Sequence, residues 1–221
     1  VALKADTFAL SETSLAGYTA SDWVCVGGTQ NGSNITVGIG GEATCTITNN
    51  DIAPKLTLVK QVINDNGGTA VPANWTLLAT GPTTISGAGG TTSGAGFSAG
   101  SYVLSESAGP SGYTASGWTC SNNDNDGTIS LALADDVTCE ITNDDQVAHL
   151  VVIKHVINHG GSATASNFIM NVTATNPSSA SFAGAENPGT SITLDAGTYS
   201  VDETLNSDYV KTIGTDCSGT I

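Results

Sequence analysis

Three kinds of polar residue stand at the ends of apolar strand patterns in this sequence. Lys60 continues the alternation of Leu56 and Leu58, while Glu106 and Asn143 end two further runs of alternating apolar residues. Side chains alternate between the two faces of a strand, so each of these polar groups shares a face with residues typical of a core. Because an isolated buried charge is costly, we expect the amine, the carboxyl and the carboxamide to meet in the interior.

Equivalents of these residues recur along the chain at a nearly constant spacing. Lys60 and Lys154 are 94 positions apart, and the segment Leu10–Cys25 (LSETSLAGYTASDWVC) matches Leu104–Cys120 (LSESAGPSGYTASGWTC) at almost the same offset. A more distant copy, VDETLNSDYVKTIGTDC, lies at Val201–Cys217. These landmarks agree on a repeat of about 95 residues, a usual size for a small β-sandwich domain. The other equivalents of the polar set are Glu12, Asn49 and Glu203.

The elements that must position these residues are short strands. Glycine-containing turn signals interrupt every stretch and β-branched residues recur in short runs, which favours an all-β fold. The Gly-rich stretch at residues 81–96 is interpreted as a loop or a weakly paired edge. The strands expected in the complete copy are Leu56–Ile63, Trp75–Ala79, Ser101–Glu106, Tyr113–Cys120, Thr128–Leu133 and Val137–Thr142.

The chain covers more than one repeat. Residues 1–52 correspond to the C-terminal part of a first repeat, 53–146 to a complete second repeat, and 147–221 to the N-terminal part of a third. Both partial copies contain the Glu–Tyr–Cys segment, so they overlap and are not two halves of one domain. A tandem array of β-sandwiches explains this arrangement. Without an initiator methionine or a signal-peptide pattern, the chain is interpreted as a segment of something longer.

Five cysteines fit the repeat as disulfide partners. Cys25 pairs naturally with Cys45, and Cys120 with Cys139, while the partner of Cys217 would lie beyond the last residue. Matched pairs of this kind indicate disulfides and an oxidising, extracellular setting. Buried free thiols or a metal site are the alternative, but there is no CxxC motif and the histidines do not repeat with the cysteines. No metal site is therefore predicted from the cysteines.

Charge and hydropathy exclude several classes of partner. The formal net charge is −15, from twenty acidic residues against five lysines and no arginine. Such a field repels nucleic acid, which is therefore not an expected partner. No apolar run reaches the roughly eighteen residues of a membrane span, so no transmembrane segment is predicted. The acidic hinge residues Asp51, Asp144 and Asp145 could bind calcium, although solvated linkers are the simpler interpretation. No other cofactor is expected.

The segments quoted above also carry a family resemblance. A first strand with a lysine, the segment YVLSESAGPSGY and a last strand ending in ITN resemble the Cna-B or SpaA-type prealbumin-like repeats of bacterial surface adhesins and pilins. The resemblance extends over the whole chain through its repeats and is closest in residues 53–146. It implies tandem Ig-like or prealbumin-like β-sandwiches located at the bacterial cell surface.

The resemblance also implies a reaction. In that family the lysine amine attacks the asparagine carboxamide, ammonia leaves, and an isopeptide bond ties the first strand to the last while a buried glutamate shuttles protons. Lys60 would then bond to Asn143 with the assistance of Glu106. Desolvation favours this chemistry because it lowers the pKa of a lysine and raises that of a carboxyl group. A buried, hydrogen-bonded cluster that never reacts is the alternative. The partial sets, which would need partners outside this chain, are Glu12 with Asn49 and Lys154 with Glu203.

A structural role follows from the resemblance. We expect a component of an extracellular fibre, stalk or pilus-like filament, with neighbouring copies of itself as partners and no enzymatic activity beyond single-turnover self-crosslinking. One alternative is an adhesin module whose variable loops bind a host or environmental ligand. Another is a subunit of a self-assembling filament or surface layer, in which chains pair through exposed strand edges.

Overall fold

The computed structural model describes residues 4–221 and consists mainly of short β-strands and their connections, which confirms the all-β prediction. No helix in this part of the chain is long and apolar enough to cross a membrane. The helical segments among these residues are short 3-10 turns at Pro72–Asn74, Ala165–Asn167 and Thr215–Cys217. The chain forms two compact units. One contains the described residues up to Lys60 with Trp75–Ser107 and Gly117–Ile141, and the other contains Gln61–Asn74, Ala108–Ser116 and Thr142–Ile221.

The first repeat forms three small antiparallel sheets. Its strands are β1 (Asp6–Ala9), β2 (Tyr18–Ala20), β3 (Val24–Val26), β4 (Thr29–Asn31), β5 (Asn34–Val37), β6 (Thr44–Thr46) and β7 (Asn49–Asp51). β5 lies between β1 and β4, β2 pairs with β7, and β3 pairs with β6. Ile35 is buried on β5, whereas most of the other side chains in this segment are exposed. From residue 4 onwards, these strands therefore bury few of their side chains.

The complete repeat forms two larger sheets. Its strands are β8 (Lys55–Ile63), β9 (Thr76–Thr80), β10 (Ile85–Ala88), β11 (Gly90–Thr92), β12 (Gly100–Glu106), β13 (Tyr113–Ala115), β14 (Thr119–Cys120), β15 (Thr128–Leu131) and β16 (Asp136–Asp145). One sheet has the order β10–β9–β12–β15. The other has the order β11–β8–β16–β13, with β14 also pairing with β16.

The two sheets share one apolar core. Leu56 and Leu58 of β8 pack in the same cluster as Leu77 of β9, Tyr102 of β12 and Ile129 of β15, and all five are essentially fully buried. Buried residues therefore alternate with more exposed ones along these strands, as expected for a two-layer sandwich with one face of each sheet inside. Burial of this kind contributes about 1.5–3 kcal/mol for each large apolar side chain.

One segment differs from the sequence-based expectation, and in another the structure selects one of two alternatives. The predicted strand Tyr113–Cys120 is split into β13 and β14, because Ser116 interrupts it: its N–H donates to Thr142 O and its Oγ accepts the N–H of Thr142. The Gly-rich stretch forms β10 and β11, which pair at sheet edges, so the paired-edge alternative is confirmed and the loop alternative is not. Gly89 alone separates them, so the chain passes there from the edge of one sheet to the edge of the other.

The third repeat repeats this plan in part. Its strands are β17 (Ala148–Val152), β18 (Ile169–Thr173), β19 (Ser181–Ala183), β20 (Thr190–Leu194), β21 (Thr198–Glu203) and β22 (Ser218–Thr220). β17 pairs with β20, and the other sheet has the order β19–β18–β21–β22. Val152, Met170, Ile192 and Leu194 are buried together in its core. β17 and β21 correspond to β8 and β12 of the complete repeat. Glu203 is the last residue of β21, whereas Lys154 lies two residues past the end of β17.

Candidate functional site

A lysine and a glutamate form an ion pair inside the complete repeat. Lys60 Nζ lies 2.8 Å from Glu106 Oε2, with the lysine side chain fully buried and the glutamate side chain 14% exposed. Leu56 and Leu58 share the buried face of β8 with Lys60, as their alternation predicts. The strand therefore directs the amine into the core instead of towards solvent.

This contact is an ion pair between two side chains that are buried or nearly so. Among the described residues, neither Lys60 Nζ nor Glu106 Oε2 has a hydrogen-bond partner. The 2.8 Å separation still brings the two groups within ion-pair distance. Burial lowers the pKa of Lys60, and the nearby carboxylate of Glu106 opposes that effect only in part. The lowered pKa increases the fraction of neutral amine, which is the nucleophilic form.

The asparagine of the set lies on a strand next to the one that carries the lysine. Asn143 is 3% exposed, and its Oδ1 has no hydrogen-bond partner within the described chain. β8 and β16 are hydrogen-bonded neighbours. Lys55 N–H, at the start of β8, donates to Asp135 O, just before β16, at 2.7 Å. Asp65 N–H, just past the end of β8, donates to Oδ1 of Asp145, the last residue of β16, at 2.9 Å. The two strands therefore run in the same direction.

The third repeat contains the same lysine–glutamate contact. Lys154 Nζ lies 2.7 Å from Glu203 Oε2, and the two side chains are 17% and 4% exposed. Glu203 ends β21 in the way that Glu106 ends β12. No strand equivalent to β16 follows within the described part of this repeat, so the structure shows the lysine and glutamate members here and no asparagine member.

The first repeat contains the glutamate and asparagine members of the set. Asn49 Nδ2 donates a hydrogen bond to Glu12 Oε1 at 2.6 Å, and both side chains are exposed. In sequence position, these two residues correspond to Asn143 and Glu106. The described chain therefore shows a lysine–glutamate contact in two repeats and a glutamate–asparagine contact in another, with glutamate as the shared member.

An aromatic ring covers each of the two lysines, which the sequence analysis did not anticipate. The ring centroid of Trp75 is 5.0 Å from Lys60 Nζ, and that of Phe168 is 4.4 Å from Lys154 Nζ. Both rings are 2% exposed and both follow a 3-10 turn. Such cation–π contacts favour an ammonium group over a ring face. The signal in the sequence was an Asn-aromatic pair at matching positions, Asn74–Trp75 and Asn167–Phe168.

Two disulfides join equivalent strands. Cys25 is bonded to Cys45 between β3 and β6, and Cys120 to Cys139 between β14 and β16. They join the cysteines that the repeat spacing pairs. Cys217 has no disulfide partner among the described residues.

Three acidic residues form a cluster near the end of β16. Its members differ from the hinge residues Asp51, Asp144 and Asp145 named in the sequence analysis. Asp65 joins Asp144 and Asp145, with carboxylate oxygens within 4.8 Å of one another. Asp51 instead lies opposite Tyr18 in the β2–β7 pair. Desolvation and the charges of Asp144 and Asp145 raise the pKa of Asp65. Backbone N–H groups already occupy the Asp145 carboxylate, and calcium binding at the hinges stays a prediction.

The packed sheets, the two disulfides and the buried lysine–glutamate pairs define the chain as a β-sandwich repeat protein. Its sequence matches the SpaA-type family described as a prealbumin-like fold domain, over residues 1–47, 51–141 and 145–221. The chain belongs to this family, and the resemblance noted from its motifs is confirmed. Domains of this type are generally structural and non-enzymatic modules of surface proteins and are typically extracellular, a setting that the disulfides fit.

Comparison with solved structures gives six significant matches. One of them, described as the Bacillus anthracis TIE protein, is 15% identical to this chain with a TM-score of 0.48, and the match covers 92% of this chain and 39% of that chain. The present chain therefore spans about two fifths of the length of that protein. Comparison with curated protein sequences gives no significant match.

Proposed function

We propose that this chain is part of an extracellular surface fibre or stalk, in which the complete repeat forms an isopeptide bond between Lys60 and Asn143. The observation that carries the proposal is the buried ion pair of Lys60 and Glu106 at 2.8 Å. The amine in this pair has a lowered pKa, and its strand is a sheet neighbour of the one that bears Asn143. The family to which the chain belongs supplies the surface-protein context.

The proposed reaction balances without an oxidant or a reductant. Lys60 Nζ, as a neutral amine, attacks Cγ of Asn143 and forms a new C–N bond. The bond from Cγ to Nδ2 breaks, and Nδ2 leaves as ammonia. One proton must pass from Nζ to Nδ2, and Glu106 beside the amine is the group that carries it. The product is a neutral amide, so the cost of keeping an ammonium group in the core disappears.

The partial repeats support the role of the glutamate as the central member. Glu12 accepts a hydrogen bond from Asn49 in the first repeat, and Glu203 contacts Lys154 in the third. If both contacts occur together in the complete repeat, Glu106 lies between the amine and the carboxamide. A proton shuttle must occupy that position because it receives a proton from one group and delivers it to the other.

A bond between β8 and β16 would join the first and last strands of the complete repeat. A pulling force that enters at one end of the repeat would then leave at the other end through a covalent bond instead of through the hydrogen bonds of the sheet. The disulfide between Cys120 and Cys139 adds a second covalent tie inside the same sheet. Together these ties suit a module that transmits tension.

Intact mass spectrometry with and without reduction, followed by peptide mapping, tests the proposal. We expect a mass lower than that of the sequence by one ammonia molecule, with the peptides containing Lys60 and Asn143 joined. Asn143→Ala should abolish the loss, whereas Lys154→Met in the third repeat should leave it unchanged. A wild-type mass that shows only disulfides would overturn the crosslink. Tight, loop-dependent binding of a surface ligand would instead favour the adhesin alternative.

A further inference from the structure

A buried aspartate organises the loop that follows the lysine-bearing strand. Asp145 is 4% exposed, and its carboxylate accepts the N–H groups of Asp65 at 2.9 Å, Asn66 at 3.0 and 3.1 Å, and Gly68 at 2.6 Å. Asn66 Nδ2 also donates to Asp145 O at 3.0 Å. Successive backbone N–H groups that converge on one anion form a nest. The loop Asp65–Gly68 is therefore wrapped around a side chain from the end of β16.

A tyrosine fixes the flanks of the same loop. Tyr113 OH donates to Asn64 Oδ1 and accepts the N–H of Ala70 at 3.0 Å. Tyr113 also lies directly opposite Asp145 in the β13–β16 pair, so the two gripping side chains come from adjacent strands. The third repeat has the same tyrosine contacts with its own loop. Tyr209 OH donates to Asn158 Oδ1 at 2.7 Å and accepts the N–H of Ala163 at 3.3 Å. The gripped loop is thus a feature of the repeat and not an accident of one copy.

The gripped loop of the complete repeat touches the third repeat. Asn66 O accepts the N–H of Ala196, in the turn between β20 and β21, at 2.8 Å. Gly67 has φ +90°, and a Cβ at this position would lie 2.5 Å from Ala196 O and 2.8 Å from Ala196 N. A glycine is therefore required for this approach of the two backbones. All of these residues lie in the second compact unit.

We propose that the loop Asp65–Gly68, held by Asp145 and docked on Ala196, is the joint between the complete repeat and the third repeat. Only Gln146 and Val147 separate the end of β16 from the start of β17. A two-residue linker still rotates about its own backbone bonds. The docked loop provides a second attachment point, and two attachment points restrict the motion of the third repeat against the loop. The joint does not depend on the isopeptide bond.

The chain offers a matched pair of glycines for testing the joint. Gly160 stands in the equivalent loop of the third repeat and has φ +102°, but a Cβ there would meet nothing within 4 Å. Gly67→Ala and Gly160→Ala therefore impose similar backbone strain, and only the first blocks a contact with Ala196. In the full chain, we expect Gly67→Ala to raise the exchange rate of the Ala196 amide by about tenfold. Gly160→Ala should leave that rate unchanged.

Equal effects of the two substitutions on Ala196 would overturn the proposal, because strain alone would then account for them. If Gly67→Ala does not fold, exchange of the Ala196 amide in the wild-type protein tests the proposal instead. An Ala196 amide as well protected as those of β21 supports the joint, and one that exchanges as fast as an exposed loop amide refutes it. Asp145→Asn should also raise exchange at Ala196, because an NH2 group would face backbone donors. The intact mass of these variants reports separately on the crosslink, so the two proposals fail independently.

Discussion

Removing both charges of the Lys60–Glu106 pair separates the effect of a crosslink from that of the ion pair. The double variant Lys60→Met/Glu106→Gln keeps the side-chain volumes nearly unchanged and avoids the uncompensated buried charge that the lysine or glutamate alone would leave. A bond between Lys60 and Asn143 closes a loop of 83 residues. By the chain-entropy relation used for disulfides, closing a loop of this length is worth about 4–5 kcal/mol. We therefore expect the free energy of unfolding to fall by that amount, which corresponds to a change of about 10³-fold in the unfolding equilibrium.

Urea denaturation followed by tryptophan fluorescence measures the change in the free energy of unfolding of the complete repeat. Trp75 and Trp118 belong to the complete repeat and are 2% and 8% exposed, so both report on its unfolding. The matched control is Lys154→Met/Glu203→Gln in the third repeat, where the ion pair is 2.7 Å long. Replacing a buried ion pair by neutral side chains of similar volume is often nearly neutral. The control, followed by circular dichroism, should therefore show a small change.

Two results would refute this reasoning. If the double variant of the complete repeat is as stable as the wild type within about 1 kcal/mol, no long loop is closed in the wild type. If both double variants lose the same large amount, the ion pairs and not the crosslink account for the stability.

Further predictions concern the proton shuttle, the disulfide and the hold of Asp145 on the loop Asp65–Gly68. Glu106→Gln alone should slow the loss of ammonia by about 10²–10⁴-fold, measured by mass spectrometry during refolding, and an unchanged rate would remove the shuttle role. Replacing Cys120 and Cys139 by alanine opens a disulfide with a sequence separation of 19 and should lower the free energy of unfolding by about 3 kcal/mol. An unshifted fluorescence transition would contradict this. Although burial opposes ionisation of Asp145, backbone N–H groups outweigh it and lower the pKa of this carboxyl. A depressed pKa means that its stabilisation is present above the pKa of about 3.9 of an unfolded aspartate and is lost as the pH falls through the folded value. The protection factors of the loop amides, which correct for the intrinsic pH dependence of exchange, should therefore fall only at acid pH, and Asp145→Asn should remove that dependence.

The sequence predicts those features of the site that depend on a local pattern. The alternation through Leu56, Leu58 and Lys60 identifies the buried face of β8, because side-chain direction along a strand follows from position alone. The spacing of repeated landmarks likewise pairs Cys120 with Cys139 without knowledge of the fold. In both cases, the information lies within a single strand or in the comparison of two copies.

Other features depend on approaches between distant segments and could not be predicted in the same way. The sequence places Asp145 in a hinge and does not reveal its N–H partners, Asp65 and Gly68, because they lie 80 and 77 positions away. The ring of Trp75 over Lys60 is set by how β8 and β9 pack from opposite sheets, which strand periodicity does not specify. The break at Ser116 depends on a side chain that competes with the sheet for backbone hydrogen bonds.

The glycine-rich corner formed by β10 and β11 has a consequence for the fibre proposed above. Open sheet edges recruit strands from neighbouring molecules, and crowding at a surface increases that hazard. Because β10 lies at the edge of one sheet and β11 at the edge of the other, that flank ends in strands of only 4 and 3 residues. A short edge of this kind gives an incoming strand few backbone groups to pair with. In the proposed fibre, the corner therefore favours filaments that stay laterally separate over ones that merge into sheets.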